Sequence, residues 1–252
     1  MLYTTQELKS CLFFDIETKP QAKSLKELPE KLASVWKEKY AKRSIDKELE
    51  ERKKHIVATQ KKYESIKEQE IDFDEDYIFV KYAPLYAEFG KVLCISIGVL
   101  DDKLTKTVVT LANNETEESN EREALKQFRL FCDGHPELKL AGFNIKGFDI
   151  PFLIKRYLLL GEQLPKALQL RNKKPWEVFV LDIMEDWKGM GWEMTGLETI
   201  AVALGLPSPK EEFQNYEMNI LLSTGKITVD DCVKYCERDV NTEIDVALKF
   251  SK

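Results

Sequence analysis

An apolar run, Cys11-Leu12-Phe13-Phe14, passes into the alternation Asp15-Ile16-Glu17 and predicts a buried strand over residues 11–16. From about residue 24 to 76 the chain turns polar, with Leu32, Val35, Trp36, Tyr40, Ile45 and Leu49 spaced mostly three to five apart and no glycine among them. That rhythm predicts helices, forming an inserted arm at about 24–80 after the first strand. KVLCISIGVL (91–100) is a continuous apolar run of the kind found in central strands, and TKTVVTLA (105–112), beyond the turn-like Asp101-Asp102, predicts its hairpin partner. A helix-prone segment over 117–133 leads to a short strand at LKLAGFN, and IPFLIKRYLLLG predicts an apolar helix closed by Gly161. A fifth short strand is expected around VFVLDIM, followed by helices at TGLETIAVALGL, near NYEMNILLSTG, and from about Thr228 to Phe250. This order predicts an α/β fold with a central mixed sheet of about five strands flanked by helices. Without a repeat, low-complexity tract or linker, residues 1–252 are expected to form a single domain.

Composition narrows the class of function. With 43% hydrophobic and 33% charged residues the chain reads as globular and soluble. No stretch approaches the ~18 apolar residues that span a bilayer, and the N-terminal MLYTTQELKS lacks a basic patch before an apolar run, so a cytoplasmic protein is expected. Five cysteines without a CxxC pair, beside only two histidines, read as reduced thiols rather than disulfides or a zinc site. The net charge of −6 argues against broad nonspecific attraction to nucleic acid but leaves room for a local site. Residues 31–67 carry twelve Lys/Arg against six Asp/Glu, either a solvated helix face or a substrate-binding arm.

Acids at the ends of apolar elements carry the candidate chemistry. On a strand, positions 15 and 17 point to one face, with roughly 6 to 7 Å between their Cα atoms, so two like charges stand side by side at the edge of a core. Asp149 precedes a helix with Pro151 near its start, which taken alone reads as a capping residue. Tyr235 and Asp239, four apart, share a helical face, as a core aromatic beside a solvated acid also would. Asp182, in VLDIMEDW, stands where a strand could end, and its role is left open. In α/β sheets, functional groups gather at the carboxyl ends of strands and adjacent helix starts. If the last helix crosses that edge, Asp15, Glu17, Asp149 and Asp239 fall in one pocket, where they cannot all ionise without cations. Hard divalent ions, Mg²⁺ or Mn²⁺, are the natural occupants of an all-oxygen set.

FFDIET (13–18), N-IKG-FD (144–149) and YCERD (235–239) resemble, in order, the three signature motifs of the DEDD-type 3′-to-5′ exonucleases. The tyrosine four residues before the last aspartate is similar to the DEDDy subgroup. More narrowly, FDIPFL resembles the second motif of the stand-alone exonucleases related to the proofreading domain of family B DNA polymerases. The resemblance covers residues 11–18 and 90–250 and leaves the insert unexplained. It implies a ribonuclease H-like fold and a metal-dependent hydrolysis of phosphodiester bonds from the 3′ end of single-stranded DNA, with RNA trimming or a catalytically silent binding module as alternatives. It implies Asp15, Glu17, Asp149 and Asp239 as ligands to two divalent ions, Mg²⁺ or Mn²⁺, with Asp15 shared between them. It implies Tyr235 as the residue that orients the attacking water, an orienting role suiting a phenol of ordinary pKa near 10. Thr18, Asn144 and Phe148 are implied as contacts to the terminal nucleotide, and Lys146, Lys155 and Arg156 as cations that meet phosphates or simply face solvent. A polymerase or repair partner would act in trans.

Overall fold

The computed structural model describes residues 2–58, 74–111, 117–171, 173, 180–208 and 217–251. Residues 59–73 of the expected insert, and residues 178–179 of the expected fifth strand, lie outside them. A capped first turn, α1 (Thr5–Lys9), leads into β1 (Cys11–Pro20), longer than the expected strand. The insert is helical where described: α2 (Glu30–Val35), a π-helical turn (Trp36–Ala41), α3 (Lys42–Ala58) and α4 (Glu75–Tyr82). There follow β2 (Gly90–Leu100), β3 (Lys106–Leu111), α5 (Glu117–Gly134), β4 (Lys139–Gly142) and α6 (Asp149–Leu160). The chain closes with β5 (Leu181–Asp182), α7 (Ile183–Lys188), α8 (Leu197–Ala203), α9 (Met218–Ser223) and α10 (Val229–Phe250).

The five strands form one mixed sheet in the order β3-β2-β1-β4-β5. β1, β2 and β3 are antiparallel neighbours, whereas β4 runs parallel to both β1 and β5. The α/β class and the mixed sheet flanked by helices thus agree with the sequence pattern.

β1 is central, and its alternation divides the core. Leu12, Phe14 and Ile16 face a cluster containing Leu125 and Phe128 of α5 and Leu153 and Tyr157 of α6. Cys11 and Phe13 face the opposite side, with Val240, Ile244 and Ala247 of α10. Removing a side chain such as Phe14 from water is worth ~2–3 kcal/mol, so β1 is fixed from both faces. On β2, the residues opposite Glu17, Asp15 and Phe13 are Cys94, Ser96 and Gly98. These small residues let α10 lie close: a Cβ on Gly98 would stand 2.7 Å from Val240 Cγ1 and 2.9 Å from Ile244 Cδ1. The consequence is a long helix pressed onto the face of β1 that carries Asp15 and Glu17.

Candidate active site

β4 stops at Gly142 and its pairing with β1 ends at Phe13, while β1 continues to Pro20. Beyond that point, among the described residues, the edge of β1 has no strand partner on that side. Asp149 fills the gap: its Oδ1 accepts the Ile16 N–H at 3.1 Å. This corrects the capping expectation. Phe148 is the residue that precedes α6, no side chain caps it, and Asp149 occupies the first helical position with its carboxylate turned across to β1.

α10 supplies the other wall. Thr228 and Asp231 form a capping box at its start, and the helix then presents Tyr235, Asp239 and Glu243 at four-residue steps on one face. One carboxylate oxygen each from Asp15, Glu17 and Asp239 lie within 4.8 Å of one another. Asp239 is therefore not the solvated neighbour of a core aromatic, and Tyr235 is itself 1% exposed. Cys236 donates its Sγ–H to Asp15 Oδ2 at 3.3 Å, a weak contact that ties helix to strand. With Asp149 and Glu243, these groups line a cavity of about 540 Å³.

The electrostatics follow from burying like charges. Burial, then Asp149, Glu17, Glu243 and Asp239, push the Asp15 carboxyl well above the carboxylate range. Burial raises Asp149 to about 8 against the opposing pull of the Ile16 N–H. Glu243 is likewise raised well above its ordinary value by burial and then by Asp149. Burial and the surrounding acids, Asp239 first, raise Tyr235, so its hydroxyl stays protonated.

The all-oxygen donor set fits a hard divalent cation. Two oxygens on opposite sides of one ion at ~2.1 Å stand about 4.2 Å apart, so the three-acid cluster is within a small rotation of a coordinating set. Glu243 is among the residues lining this cavity, and its Oε2 is buried with no hydrogen-bond partner among the described residues.

The expected nucleotide contacts divide. Asn144 and Phe148 both line the cavity. Asn144 adopts φ 58°, and its Oδ1 stands 2.3 Å from where a Cβ on Gly147 would lie, so a side chain at 147 would have to displace the Asn144 amide. Thr18 also lines the cavity, but its hydroxyl donates to the Pro84 carbonyl at 2.9 Å after a bulge between Glu17 and Thr18. The three cations are turned elsewhere. Arg156 is buried, with Nε and Nη2 donating to Glu121 and Nη1 to the Ala87 carbonyl, which corrects both the phosphate and the solvated reading. Lys155 pairs with Glu88 and Lys146 with Glu185.

Two acids without a motif also shape the site. Asp182 accepts the Asn144 and Lys146 N–H groups at 2.9 and 3.0 Å, as well as that of Met184 at 3.1 Å. Glu243 Oε1 accepts the Phe143 N–H at 2.9 Å. The i, i+4, i+8 series from Tyr235 is the sequence signal that leads to Glu243.

The insert forms the facing wall through Lys47, Glu51, Lys81 and Tyr82. Burial favours the neutral form of Lys81, but its hydrogen bonds to Glu48 and Glu51 prevail and raise its pKa. Tyr82 donates to Glu48 at 2.8 Å, and the exposed Lys47 ammonium stands 5.6 Å from the Tyr82 ring centre. A neighbouring cavity of about 640 Å³ meets the first at Asn219, and its lining includes Lys19, Lys23, Lys91 and Tyr77 together with Glu27 and Asp76. Among the described residues no helix is long and apolar enough to cross a membrane.

No curated protein matches the chain. One family model does, that of a predicted 3′-5′ exonuclease related to the exonuclease domain of PolB, over residues 82–251. The matched span contains Asn144, Phe148, Asp149, Tyr235, Asp239 and Glu243, while Asp15 and Glu17 lie before it, beyond the insert. Because that span covers more than half of the 252 residues, the chain belongs to this family of predicted 3′-5′ exonucleases related to the PolB exonuclease domain.

Proposed function

We propose that the protein is a metal-dependent 3′-to-5′ exonuclease that removes nucleotides from the 3′ end of single-stranded DNA. The observation that carries this is the convergence of Asp15, Glu17 and Asp239 oxygens within 4.8 Å in a cavity shared with Asp149 and Tyr235. Asp15, Glu17, Asp149 and Asp239 hold the ions, two of Mg²⁺ or Mn²⁺. When bound, such ions lower the pKa of a water, clamp the phosphate and offset charge on the leaving oxygen.

The chain's own residues do the rest. Tyr235, kept as a phenol, orients the attacking water through its hydroxyl. Asn144 and Phe148, on a loop tied down by Asp182, receive the terminal nucleotide by hydrogen bonding and packing. Thr18 contributes through its backbone, its hydroxyl being committed to Pro84. The strand behind that nucleotide crosses the lysine-lined cavity beyond Asn219. The sheet belongs to the ribonuclease H-like class, residues 1–252 act as one nuclease unit whose helical insert serves as a wall of the cleft, and the protein works in the cytoplasm, with any polymerase acting in trans.

Matched 5′-labelled DNA and RNA oligonucleotides in Mn²⁺ test this reading. Stepwise shortening of the DNA at a higher rate than the RNA is expected. Intact DNA beside shortened RNA would replace the substrate, and both intact would refute the activity.

A further inference from the structure

We infer that Glu243 is a fifth carboxylate of the ion-holding set, with Oε1 fixing the binding loop and Oε2 directed to the bound cation. The inference rests on the reading of the site as ion-dependent. Glu243 stands one helical turn beyond Asp239 on the same face of α10, is 1% exposed and lines the same cavity.

Three buried acids outside the proposed ion-holding set make the contrast. Glu121 is held by Arg156 and by the Val92 N–H. Glu48 accepts from Lys81 and Tyr82. Asp182 accepts backbone N–H groups on both oxygens. Each has its demand met by the protein. Glu243 has one oxygen met, by Phe143 N–H, and its Oε2 is buried with no hydrogen-bond partner among the described residues. The ionisable groups that act on it are the acids Asp149, Asp239 and Asp182, and it acts in turn on Asp15. A buried carboxyl group left this way either keeps a proton or is answered by a cation. The approach is built into the backbone as well: a Cβ on Gly142 would lie 2.7 Å from the Phe14 carbonyl oxygen, 2.5 Å from Ile145 Cγ2 and 3.5 Å from Glu243 Oε1. Glycine at 142 is required by the Phe14 carbonyl, and Glu243 Oε1 then stands at ordinary contact distance from the end of β4.

The test is Mn²⁺ titration by calorimetry into ion-free wild type, Glu243→Gln and Glu243→Asp, with circular dichroism to verify folding. Glutamine keeps the length and a carbonyl for Phe143 N–H but removes the charge; aspartate keeps the charge but is too short to hold the loop. The expected order of affinity is wild type, then E243D, then E243Q, the last weakened by about 10–100-fold, as for groups that support a metal's ligands. If Glu243 only pins the loop, E243Q binds Mn²⁺ like wild type and E243D is the weaker, which would overturn the inference. Should E243Q fail to fold, Glu243→Asp against Glu243→Asn, equal in size and different in charge, decides it: equal affinities overturn it. Wild type that takes up no Mn²⁺ removes the ion-dependent reading itself, whereas wild type that binds with E243Q unchanged removes Glu243 alone.

Discussion

Asp149 and Asp182 each stand at a helix start, yet only Asp182 caps its helix, by accepting from Met184. What separates them is the neighbouring strand edge: β1 outruns β4 and leaves the Ile16 N–H for Asp149 to take. A sequence scan cannot see that edge, because it depends on where β4 stops. Tyr235 poses a simpler question. Its ring is buried among carboxylates, so Tyr235→Phe retains the packing and removes only the orienting hydroxyl. The expected result is a fall in kcat of about 10²-fold with little change in Tm, measured on a 5′-labelled oligonucleotide. A fall in Tm with kcat intact would assign the tyrosine to the core instead.

Protonation gives a second residue-scale prediction. Asp15, Asp149 and Glu243 have folded-state pKa values above their unfolded ones, so the ion-free folded protein binds protons more tightly than the unfolded chain. The penalty is absent below the unfolded carboxyl range near ~4 and complete above the folded value, which for Asp149 is about 8. Ion-free protein is therefore expected to melt at a higher temperature at pH 6 than at pH 8. Saturating Mn²⁺ should flatten that slope, as differential scanning calorimetry at both pH values will show.

At the scale of elements, α10 is placed by both ends and by its middle. Thr228→Ala removes the cap that fixes its first turn and is expected to cost about 1 kcal/mol, read as a Tm lower by roughly 2–4 °C. Gly98→Val acts on the middle: with Val240 and Ile244 already within 3 Å of any added Cβ, α10 must move away from β2. Since Asp239 rides on that helix, Mn²⁺ affinity should fall together with Tm, whereas T228A should leave the affinity near wild type.

The order of strands and helices was legible because apolar runs such as KVLCISIGVL and the periodic IPFLIKRYLLL are long enough to declare themselves. Less legible was that one face of β2 is small, Cys94, Ser96 and Gly98, since these residues read simply as part of a buried run. The convergence of Asp15 and Glu17 with Asp239 could be anticipated from the strand's alternation, on the condition that the last helix crosses that edge. Glu243 was harder to see: it continues the Tyr235/Asp239 face, but a glutamate in a 22-residue amphipathic helix looks solvated until the helix is docked. Arg156 misled for the converse reason: its partner Glu121 lies on a different helix, far away in sequence.

Across the whole molecule, charge is unevenly placed. An acidic chain of net charge −6 concentrates carboxylates in one cavity, and sets Lys19, Lys23 and Lys91 beside Glu27 and Asp76 along the next. Lys19 and Lys91 are direct cross-strand partners at the start of β2, which puts two ammonium groups on one wall. Converting these three lysines to alanine should weaken binding of a long single strand, with little effect on a dinucleotide. The salt dependence of binding, log K against log salt, should become shallower by up to about 2, at ~0.7 for each phosphate no longer neutralised, measured by fluorescence anisotropy. An unchanged slope would place the strand elsewhere.

On the proposed function, the acids gathered on β1, α6 and α10 form an ion-dependent centre that cuts from the 3′ end. Its most direct test uses one single-stranded DNA labelled either at the 5′ or the 3′ end, incubated with wild type or Asp239→Asn in Mn²⁺ or in EDTA. Wild type in Mn²⁺ should release the 3′ label at once as mononucleotide while the 5′-labelled strand shortens stepwise, and both EDTA and D239N should abolish this by at least about 10²–10³-fold. Release of the 5′ label first, or full activity in D239N or in EDTA, would contradict it.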